Sequence, residues 1–248
     1  MSDTIVWITG ATSGIGEAMA ASVPWPGARV VSIARRRHPT LESVQADLSS
    51  PDGWDVVDEH LEAELSGFDG ERAVFVHNAF LADPVGYVGE VDRQAYRRHI
   101  MANAAAPLVL GDSFLRHLRD GVEGGLVMIS SAAARVPFPG RAGYGAGKAA
   151  MEQWVKVVRQ ELVDRGSRCW VVAIRPGAVD TPSFRADAEA DPRINPVASS
   201  SKAALAAGLV DSPQLAARRI WEVLPPGPDT RPVVFLGEMI TPPHLSGT

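Results

Sequence analysis

The sequence predicts an α/β fold: a single-domain, doubly wound parallel sheet of about seven strands, with helices on both faces. Apolar, strand-like runs alternate with helix-like segments along the chain, which is typical of this class. A glycine-rich loop follows the first of these runs directly. A length of 248 residues suits one large core, and no repeat or linker divides the chain. We therefore expect one domain over residues 1–248.

Composition excludes several classes of protein. Hydrophobic residues make up 46% and charged residues 21%, which is ordinary for a globular protein. A formal net charge of −5 provides no basic field for nucleic acid or for an anionic membrane. No apolar run approaches the roughly 20 residues of a membrane span. The single cysteine, Cys169, rules out an intrachain disulfide. Because the N-terminus also lacks a signal-peptide pattern, we expect a cytoplasmic protein.

The first strand and its loop have the features of a phosphate cradle. A buried strand is predicted over residues 4–8, and the glycine loop 9–16 then opens into a helix. Glycines let the backbone approach a pyrophosphate, and the amides of the new helix attract its charge. The spacing Gly-x-x-x-Gly-x-Gly differs from the commoner dinucleotide pattern, and a plain glycine-rich turn is the alternative. Its position after the first strand favours a nucleotide.

The end of the second strand, predicted over residues 28–34, indicates which nucleotide. An acidic residue here would hold the ribose 2′-hydroxyl of NAD, whereas arginine accommodates the 2′-phosphate of NADP. The chain has Ala34 and then Arg35, Arg36 and Arg37. A solvated basic loop is the alternative, but the absence of an acid favours NADP.

The third strand is predicted over residues 43–46, with Asp47 and Leu48 at its end. Only residues 35–42 connect it to the second strand, fewer than the dozen or more that a parallel crossover usually takes. We therefore expect a turn in place of a helix, which leaves the adenine side of a nucleotide site open. Ser50 as N-cap and Pro51 at the first helical position predict a helix to about Leu65.

A fourth strand over residues 73–77 ends in Asn78-Ala79-Phe80, and a long helix is predicted from Asp92 to about Leu118. Asn103 lies in that helix among small residues. A buried asparagine must satisfy both ends of its amide, so Asn103 serves either as a structural polar plug or as part of a water chain.

The fifth strand, residues 125–129, leads through Ser131 to a helix that carries Tyr144 and Lys148 on one face, four residues apart. Bringing a phenol from pKa ~10 to ~7 needs roughly 4 kcal/mol. One positive charge about 4 Å away supplies about that much at an effective dielectric near 20. Lys148 can thus make Tyr144 a working acid, while Ser131 holds a substrate carbonyl. A surface tyrosine and lysine beside a serine-rich turn is the alternative, since so short a pattern recurs by chance.

The C-terminal third supplies a sixth strand over residues 168–174, followed by Pro176-Gly177. Residues 183–211 have no firm strand pattern and are interpreted as a mobile substrate lid. A helix from Ser212 to Leu224 and a last strand over residues 232–236 complete the chain.

Taken in order, these landmarks resemble the short-chain dehydrogenase/reductase family over nearly the whole chain, and the resemblance implies a Rossmann-type fold. It implies that Tyr144 is the general acid and that Ser131 positions the carbonyl. Lys148 would lower the tyrosine pKa and hold the nicotinamide ribose, and Asn103 would anchor a water that relays protons. The cofactor-binding residues that it implies are Gly10, Thr12, Ser13, Gly14, Ile15 and Gly16 at the diphosphate, Arg35 and Arg36 at the 2′-phosphate, Asp47 and Leu48 at the adenine, Asn78 and Ala79 at the adenosine ribose, and Ile174, Pro176, Gly177, Val179 and Thr181 at the nicotinamide, together with Tyr144 and Lys148.

Within the family the chain looks most like the sepiapterin reductase and benzil reductase branch. Phe80 departs from the usual glycine after Asn-Ala, so either the backbone near the cofactor must adjust or the register of the resemblance is wrong there. The aspartate that grips the pterin in sepiapterin reductase has no match, because Val234 stands near its position and Glu238 is only a loose candidate.

The implied activity is NADPH-dependent reduction of a ketone or diketone to an alcohol, with no metal. The six histidines show no paired spacing typical of zinc ligands. The alternatives are an NAD(P)-dependent secondary alcohol dehydrogenase and a non-catalytic nucleotide sensor. By analogy we expect a small-molecule carbonyl substrate and a homodimer or homotetramer that pairs through the helices carrying Asn103 and Tyr144.

Overall fold

The computed structural model describes residues 2–227 and 229–237, and its core is a seven-stranded, all-parallel sheet. The strands are β1 (Thr4–Thr9), β2 (Arg29–Ala34), β3 (Glu42–Gln45), β4 (Arg72–His77), β5 (Glu123–Ile129), β6 (Trp170–Arg175) and β7 (Val233–Phe235). Their order is β3-β2-β1-β4-β5-β6-β7. The predicted fold class is confirmed. Glu238, proposed from the sequence as a loose pterin ligand, lies outside the described residues.

Helices cover both faces of the sheet. They are α1 (Gly14–Ala21), α2 (Pro51–Ser66), α3 (Arg93–Ile100), α4 (Ala106–His117), α5 (Ala142–Asp164), α6 (Pro182–Glu189), α7 (Ala198–Ala206) and α8 (Pro213–Glu222). Side chains of α2, α4 and α5 join one hydrophobic core, and side chains of α1 and α8 join the other. Every residue of β1 is buried because that strand lies between the two cores.

The strand order reverses at β1, which lies between β2 and β4. The helix α1, which connects β1 to β2, therefore lies on the opposite face from α4, which precedes β5, and a crevice opens outside the carboxyl ends of the strands. No helix in residues 2–227 or 229–237 is both long enough and apolar enough to cross a membrane.

The connection between β2 and β3 contains no helix, as its length predicted. His38 organises it: the Nδ1 atom of its ring accepts hydrogen bonds from the backbone amides of Thr40 (3.2 Å) and Leu41 (3.1 Å). These contacts hold a tight turn, which leaves that side of the crevice uncovered.

The stretch predicted to be long and mostly helical, from Asp92 to about Leu118, is helical, but it is not one continuous α-helix. One turn of π-helix, Met101–Ala105, separates α3 from α4. Pro107 explains the break, because it has no N–H to donate to the carbonyl four residues earlier, which is that of Asn103. The sequence contained this signal.

Residues 183–211, predicted to have no firm strand pattern, contain no strand but hold most of α6 and all of α7. Thr181 caps α6 by accepting a 3.2 Å hydrogen bond from the amide of Phe184, and Pro182 occupies its first turn. The Thr-Pro pair is the same kind of signal that predicted α2 from Ser50 and Pro51.

Candidate active site

A cleft of about 430 Å³ lies at the carboxyl ends of the strands, where the order of the sheet reverses. Most of the residues singled out in the sequence line it. They are Gly10, Thr12, Ser13, Gly14, Ile15, Arg35, Arg36, Asp47, Leu48, Asn78, Ala79, Ser131, Tyr144, Lys148, Pro176, Gly177, Val179 and Thr181. Gly16, Asn103 and Ile174 do not line it. Ile174 is fully buried in the core.

The turn between β1 and α1 fits a phosphate group. Gly10 has φ +71, a left-handed conformation that side chains disfavour, and its amide bonds the Ile33 carbonyl at 2.8 Å. At Gly16 a Cβ would lie 2.4 Å from the Gly10 carbonyl oxygen, so only glycine lets α1 pack this close. The Ser13 side chain makes no capping hydrogen bond to α1. An anion in the cleft can therefore take the amides of the first turn.

The three arginines after β2 differ in their surroundings. All three are exposed, but only Arg35 and Arg36 line the cleft. Arg37 turns toward the sheet edge instead, where its Nε donates a 3.1 Å hydrogen bond to Oε1 of Gln45. Asp47, at the end of β3, accepts hydrogen bonds on Oδ1 from the Ser49 amide at 3.0 Å and from its hydroxyl at 2.8 Å. Two positive charges, those of Arg35 and Arg36, therefore line the cleft at the end of β2.

Asn78 joins β4 to the glycine turn. Its side-chain Nδ2 donates a hydrogen bond to the carbonyl of Thr9 at 3.1 Å, and its backbone N–H donates to the Thr9 hydroxyl at 2.9 Å. The side chain therefore fixes the floor of the cleft, in addition to facing it.

Tyr144, Ser131 and Lys148 come together beside this floor. A hydrogen bond from Ser131 reaches the phenol. The Lys148 Nζ lies 5.6 Å from the centroid of the tyrosine ring and donates a 2.6 Å hydrogen bond to the Ile129 carbonyl. Lys148 is 2% exposed, so its charge lies in a poorly solvated place. The clustering of these three side chains follows the sequence-based expectation.

The sequence predicted a lowered pKa for Tyr144, but the surrounding side chains leave it raised above its ordinary value. Burial raises the pKa of Tyr144, although Ser131 and Arg141 act in the opposite direction. Burial also lowers the pKa of Lys148 to about 8, against the effect of Glu152. The closed cleft removes water from both side chains, and this desolvation disfavours the phenolate as well as the ammonium, which the attraction between the two charges alone does not include.

A buried acid that the sequence analysis missed lies one turn beyond Lys148. Glu152 is 3% exposed and accepts hydrogen bonds from the Ser130 hydroxyl at 2.7 Å and from Arg175 at 2.6 and 2.5 Å. Its spacing was a usable signal, because residues 144, 148 and 152 repeat every four positions along one helix face. The network ties α5 to the ends of β5 and β6.

Asn103 is a structural residue first. Its amide nitrogen donates to the Leu81 carbonyl at 2.8 Å and to His99 Nε2 at 3.0 Å, and its oxygen accepts from the Leu81 amide at 2.8 Å. The side chain is thus satisfied without water. Its main-chain carbonyl faces α5, where a Cβ on Gly147 would come within 2.6 Å of it.

Phe80 needs no unusual backbone, contrary to the expectation of a local adjustment. No non-glycine residue in the described part of the chain has a positive φ. The Phe80 ring lies 5.7 Å from that of Tyr144, centroid to centroid, and lines the cleft.

The far end of the cleft has further residues that sequence reasoning missed. Its lining there includes Phe138, Arg141, Phe184, Asp187 and Val197. Phe138 and Arg141 belong to the loop before α5, and the others belong to the predicted lid segment. Their aromatic and charged character was visible, but no pattern indicated which of them face inward.

Away from the cleft, Glu42, His60 and Glu64 bring their ligand-type atoms within 4.8 Å of one another. Arg29 already bridges both carboxylates, at 2.7 Å to Glu42 and 2.5 Å to Glu64. His60 Nε2 accepts a 3.0 Å hydrogen bond from Trp7. This group is an ion-pair network at the edge of the sheet.

Comparison with known proteins agrees with this geometry. A family model described as short chain dehydrogenase matches residues 4–192. The benzil reductase ((S)-benzoin forming) of Bacillus subtilis (strain 168) is 27% identical over 182 residues, which are 70% of this chain and 74% of that protein. A crystal structure of a short chain dehydrogenase from Burkholderia cenocepacia J2315 in complex with NADP has a TM-score of 0.71 at 23% identity, covering 96% of this chain and 90% of that one. The L-sorbose reductase of Gluconobacter frateurii, complexed with NADPH and L-sorbose, has a TM-score of 0.76 at 21% identity and covers 97% of each chain.

Proposed function

The chain belongs to the short-chain dehydrogenase family and is an NAD(P)-dependent oxidoreductase, and we propose that it reduces the carbonyl of a ketone or diketone to an alcohol with NADPH. The observation that carries the proposal is the convergence of Ser131, Tyr144 and Lys148 on the cleft that the glycine turn also lines. NADPH supplies the hydride when it is bound.

The residues of the chain handle the proton and the charge. Tyr144 donates its phenolic proton to the carbonyl oxygen, on which negative charge develops during reduction. Ser131 donates a hydrogen bond to the same oxygen and holds it against the phenol. The Lys148 ammonium, close to the phenol ring, stabilises the phenolate that forms. Without this lysine the phenolate would be left in a poorly solvated place.

NADPH is favoured over NADH by the charges at the end of β2. Arg35 and Arg36 line the cleft there. Charge-assisted hydrogen bonds from guanidinium groups suit a phosphate monoester. The diphosphate would lie at Thr12, Ser13 and Ile15, beside the start of α1.

The substrate end supports a neutral, partly aromatic carbonyl compound. Phe80, Phe138 and Phe184 line it, and aromatic walls favour flat apolar substrates. The benzil reductase of Bacillus subtilis, whose name states an aromatic diketone, is consistent with such a pocket.

Two further expectations belong to this proposal. We expect the protein to act in the cytoplasm, where the single Cys169 stays reduced. We also expect pairing of identical chains through α4 and α5, since Val109 and Val157 on these helices are 40% and 47% exposed. Light scattering of the purified protein measures the second expectation directly.

The direct test is cofactor oxidation. Purified protein is mixed with NADPH and one member of a panel of benzil, other diketones, aromatic ketones and sepiapterin. Oxidation of NADPH is followed as the loss of the absorbance of its reduced nicotinamide ring. Turnover of at least one aromatic ketone or diketone is expected. Tight NADPH binding with no turnover on the whole panel would favour a nucleotide sensor. Turnover only of secondary alcohols with NAD would favour a dehydrogenase.

A further inference from the structure

An ion pair crosses the substrate end of the cleft. Arg141 precedes α5, three residues before Tyr144, and its Nη2 pairs with Oδ1 of Asp187 on α6. Both side chains line the cleft. Arg141 is only 8% exposed, so its charge is largely removed from water. Such a cation requires a partner.

Two further segments of the chain hold this pair. The second arm of Arg141, Nη1, donates to the carbonyl of Ala82 at 3.2 Å, in the loop after β4. The buried Asn195, between α6 and α7, donates from Nδ2 to Oδ1 of Asp187 at 3.2 Å. The first contact holds the Arg141 guanidinium against the loop after β4. The second holds the Asp187 carboxylate against the connection between α6 and α7.

Large apolar side chains share the cleft with the ion pair. Phe80, Phe138, Phe184 and Val197 line it, and among them are the small hydroxyl side chains of Ser183, Ser200 and Ser201, which carry no charge. A lone arginine among such walls would bind a substrate carboxylate strongly, because charge-assisted hydrogen bonds strengthen where water is scarce. Asp187 already occupies that arginine.

We propose that Asp187 neutralises Arg141 so that the cleft rejects carboxylate-bearing substrates and selects neutral, largely apolar ketones. This inference rests on the proposed function and names the substrate class of the same site. Arg141 and Asp187 are specificity-determining residues in this account. They set the charge that the substrate must have, and the chemical step remains with Tyr144.

The test compares two substrates that share a reacting carbonyl and differ in charge, phenylglyoxylate and its methyl ester. The measured quantity is the ratio of kcat/KM for the anion to kcat/KM for the ester. In Asp187→Asn the ratio is expected to rise roughly tenfold or more, since Arg141 becomes available to the carboxylate. In Arg141→Gln the ratio is expected to fall, because Asp187 is then an unpaired negative charge. Opposite changes in the two variants distinguish charge selection from a loosened lid, which would alter both substrates together.

The matched control is Glu189→Gln. Glu189 lies on the same helix and carries the same charge, but its side chain is exposed to solvent. Its ratio is expected to stay at the wild-type value. An unchanged ratio in folded Asp187→Asn, or an equal rise in Glu189→Gln, would overturn the proposal. If Asp187→Asn does not fold, the fall expected in Arg141→Gln decides the question alone.

A binding measurement separates this inference from the proposed function. Benzoate and benzamide, an anion and a neutral molecule of similar shape, are titrated into the wild-type protein and Asp187→Asn in the presence of NADP. Preference for benzoate is expected to rise in the variant, even in a protein that turns over neither phenylglyoxylate nor its methyl ester. If the protein turns over no substrate but the preference for benzoate still rises in Asp187→Asn, only the proposed function is contradicted. Absence of any change in preference contradicts the charge filter.

Discussion

Lys148 donates a 2.6 Å hydrogen bond from Nζ to the main-chain carbonyl of Ile129, at the end of the neighbouring strand. The bond fixes the ammonium at the base of the cleft, where burial lowers its pKa to about 8. The same carboxylate that opposes this shift, that of Glu152, binds Arg175 and Ser130. The pKa of Lys148 is thus set by two opposing effects, desolvation, which lowers it, and the Glu152 carboxylate, which raises it. Both effects can be measured through the pH dependence of stability and activity.

Lys148→Met is expected to make unfolding less dependent on pH above pH 8. The ordinary lysine pKa of 10.5 is lowered in the folded protein to about 8, so between these values the unfolded chain binds more protons. The free energy of unfolding of the wild-type protein therefore rises with pH in this window, by up to about 3 kcal/mol. Urea unfolding of wild type and variant from pH 7 to pH 10 measures the difference. The exposed Lys202→Met is the control, and parallel curves for wild type and Lys148→Met would contradict the buried charge.

Glu152→Gln is expected to move the alkaline limb of the kcat/KM profile to lower pH. The carboxylate of Glu152 raises the pKa of Lys148, so its loss lets the lysine give up its proton sooner. A pH profile with NADPH and an aromatic ketone measures the shift. Glu161→Gln is the matched control, because Glu161 lies exposed on the same helix. An alkaline limb that does not move would remove Glu152 from the electrostatics of the site.

Tyr144→Phe is expected to lower kcat by 100-fold or more, which is the usual contribution of a positioned acid. NADPH binding should survive, since the ring and its contact with Phe80 remain. Stopped-flow measurement of NADPH oxidation and fluorescence titration of NADPH give the two quantities. Tyr87→Phe is the control, because it makes the same chemical change at a tyrosine that is 49% exposed. It should leave kcat unaltered. A loss of less than tenfold in Tyr144→Phe would contradict the acid role.

The double variant Arg35→Ser, Arg36→Ser is expected to lose about tenfold or more in kcat/KM for NADPH, the size of one charge-assisted hydrogen bond. The value for NADH should change by less than about threefold, since NADH carries no 2′-phosphate. Arg37→Ser is the control, because Arg37 bonds Gln45 and does not line the cleft. Equal losses with both cofactors would indicate a structural effect.

Asn103→Ala is expected to reduce the free energy of unfolding by about 2–4 kcal/mol. The substitution removes the partners of both the amide and the carbonyl of Leu81, and unpaired buried groups cost about 1–3 kcal/mol each. Chemical denaturation monitored by tryptophan fluorescence measures the loss. A change below about 1 kcal/mol would contradict the structural role of Asn103, because it would mean that water satisfies the Leu81 backbone in place of the Asn103 side chain.

Local signals predicted most of the elements. Ser50 and Pro51 gave the start of α2, and the short stretch 35–42 indicated a turn without a helix. The break after α3 was missed although Pro107 marks it, because helical periodicity continues across the π-turn while the hydrogen-bond ladder does not. The capping pair Thr181-Pro182 was missed in the same way, directly before the segment 183–211 that was interpreted as a mobile lid.

In the candidate site, too, the sequence predicted some features and could not predict others. The order of glycines, arginines, Ser131, Tyr144 and Lys148 was sufficient to predict which residues gather, because parallel strands bring their carboxyl ends to one edge. The sign of the tyrosine pKa shift was not predictable, since it depends on how much water the folded cleft removes from Tyr144.

By itself, the sequence determined the family, the fold class and many of the residues that line the cleft, since these depend on residue types, their spacing along the chain and the order of the strands. The tertiary structure alone decided that Glu152 lies behind Lys148 with Arg175, and that Asp187 meets Arg141 across the substrate end. Such pairs join segments from 23 to 46 residues apart, and no periodicity along the chain encodes a contact made across the fold.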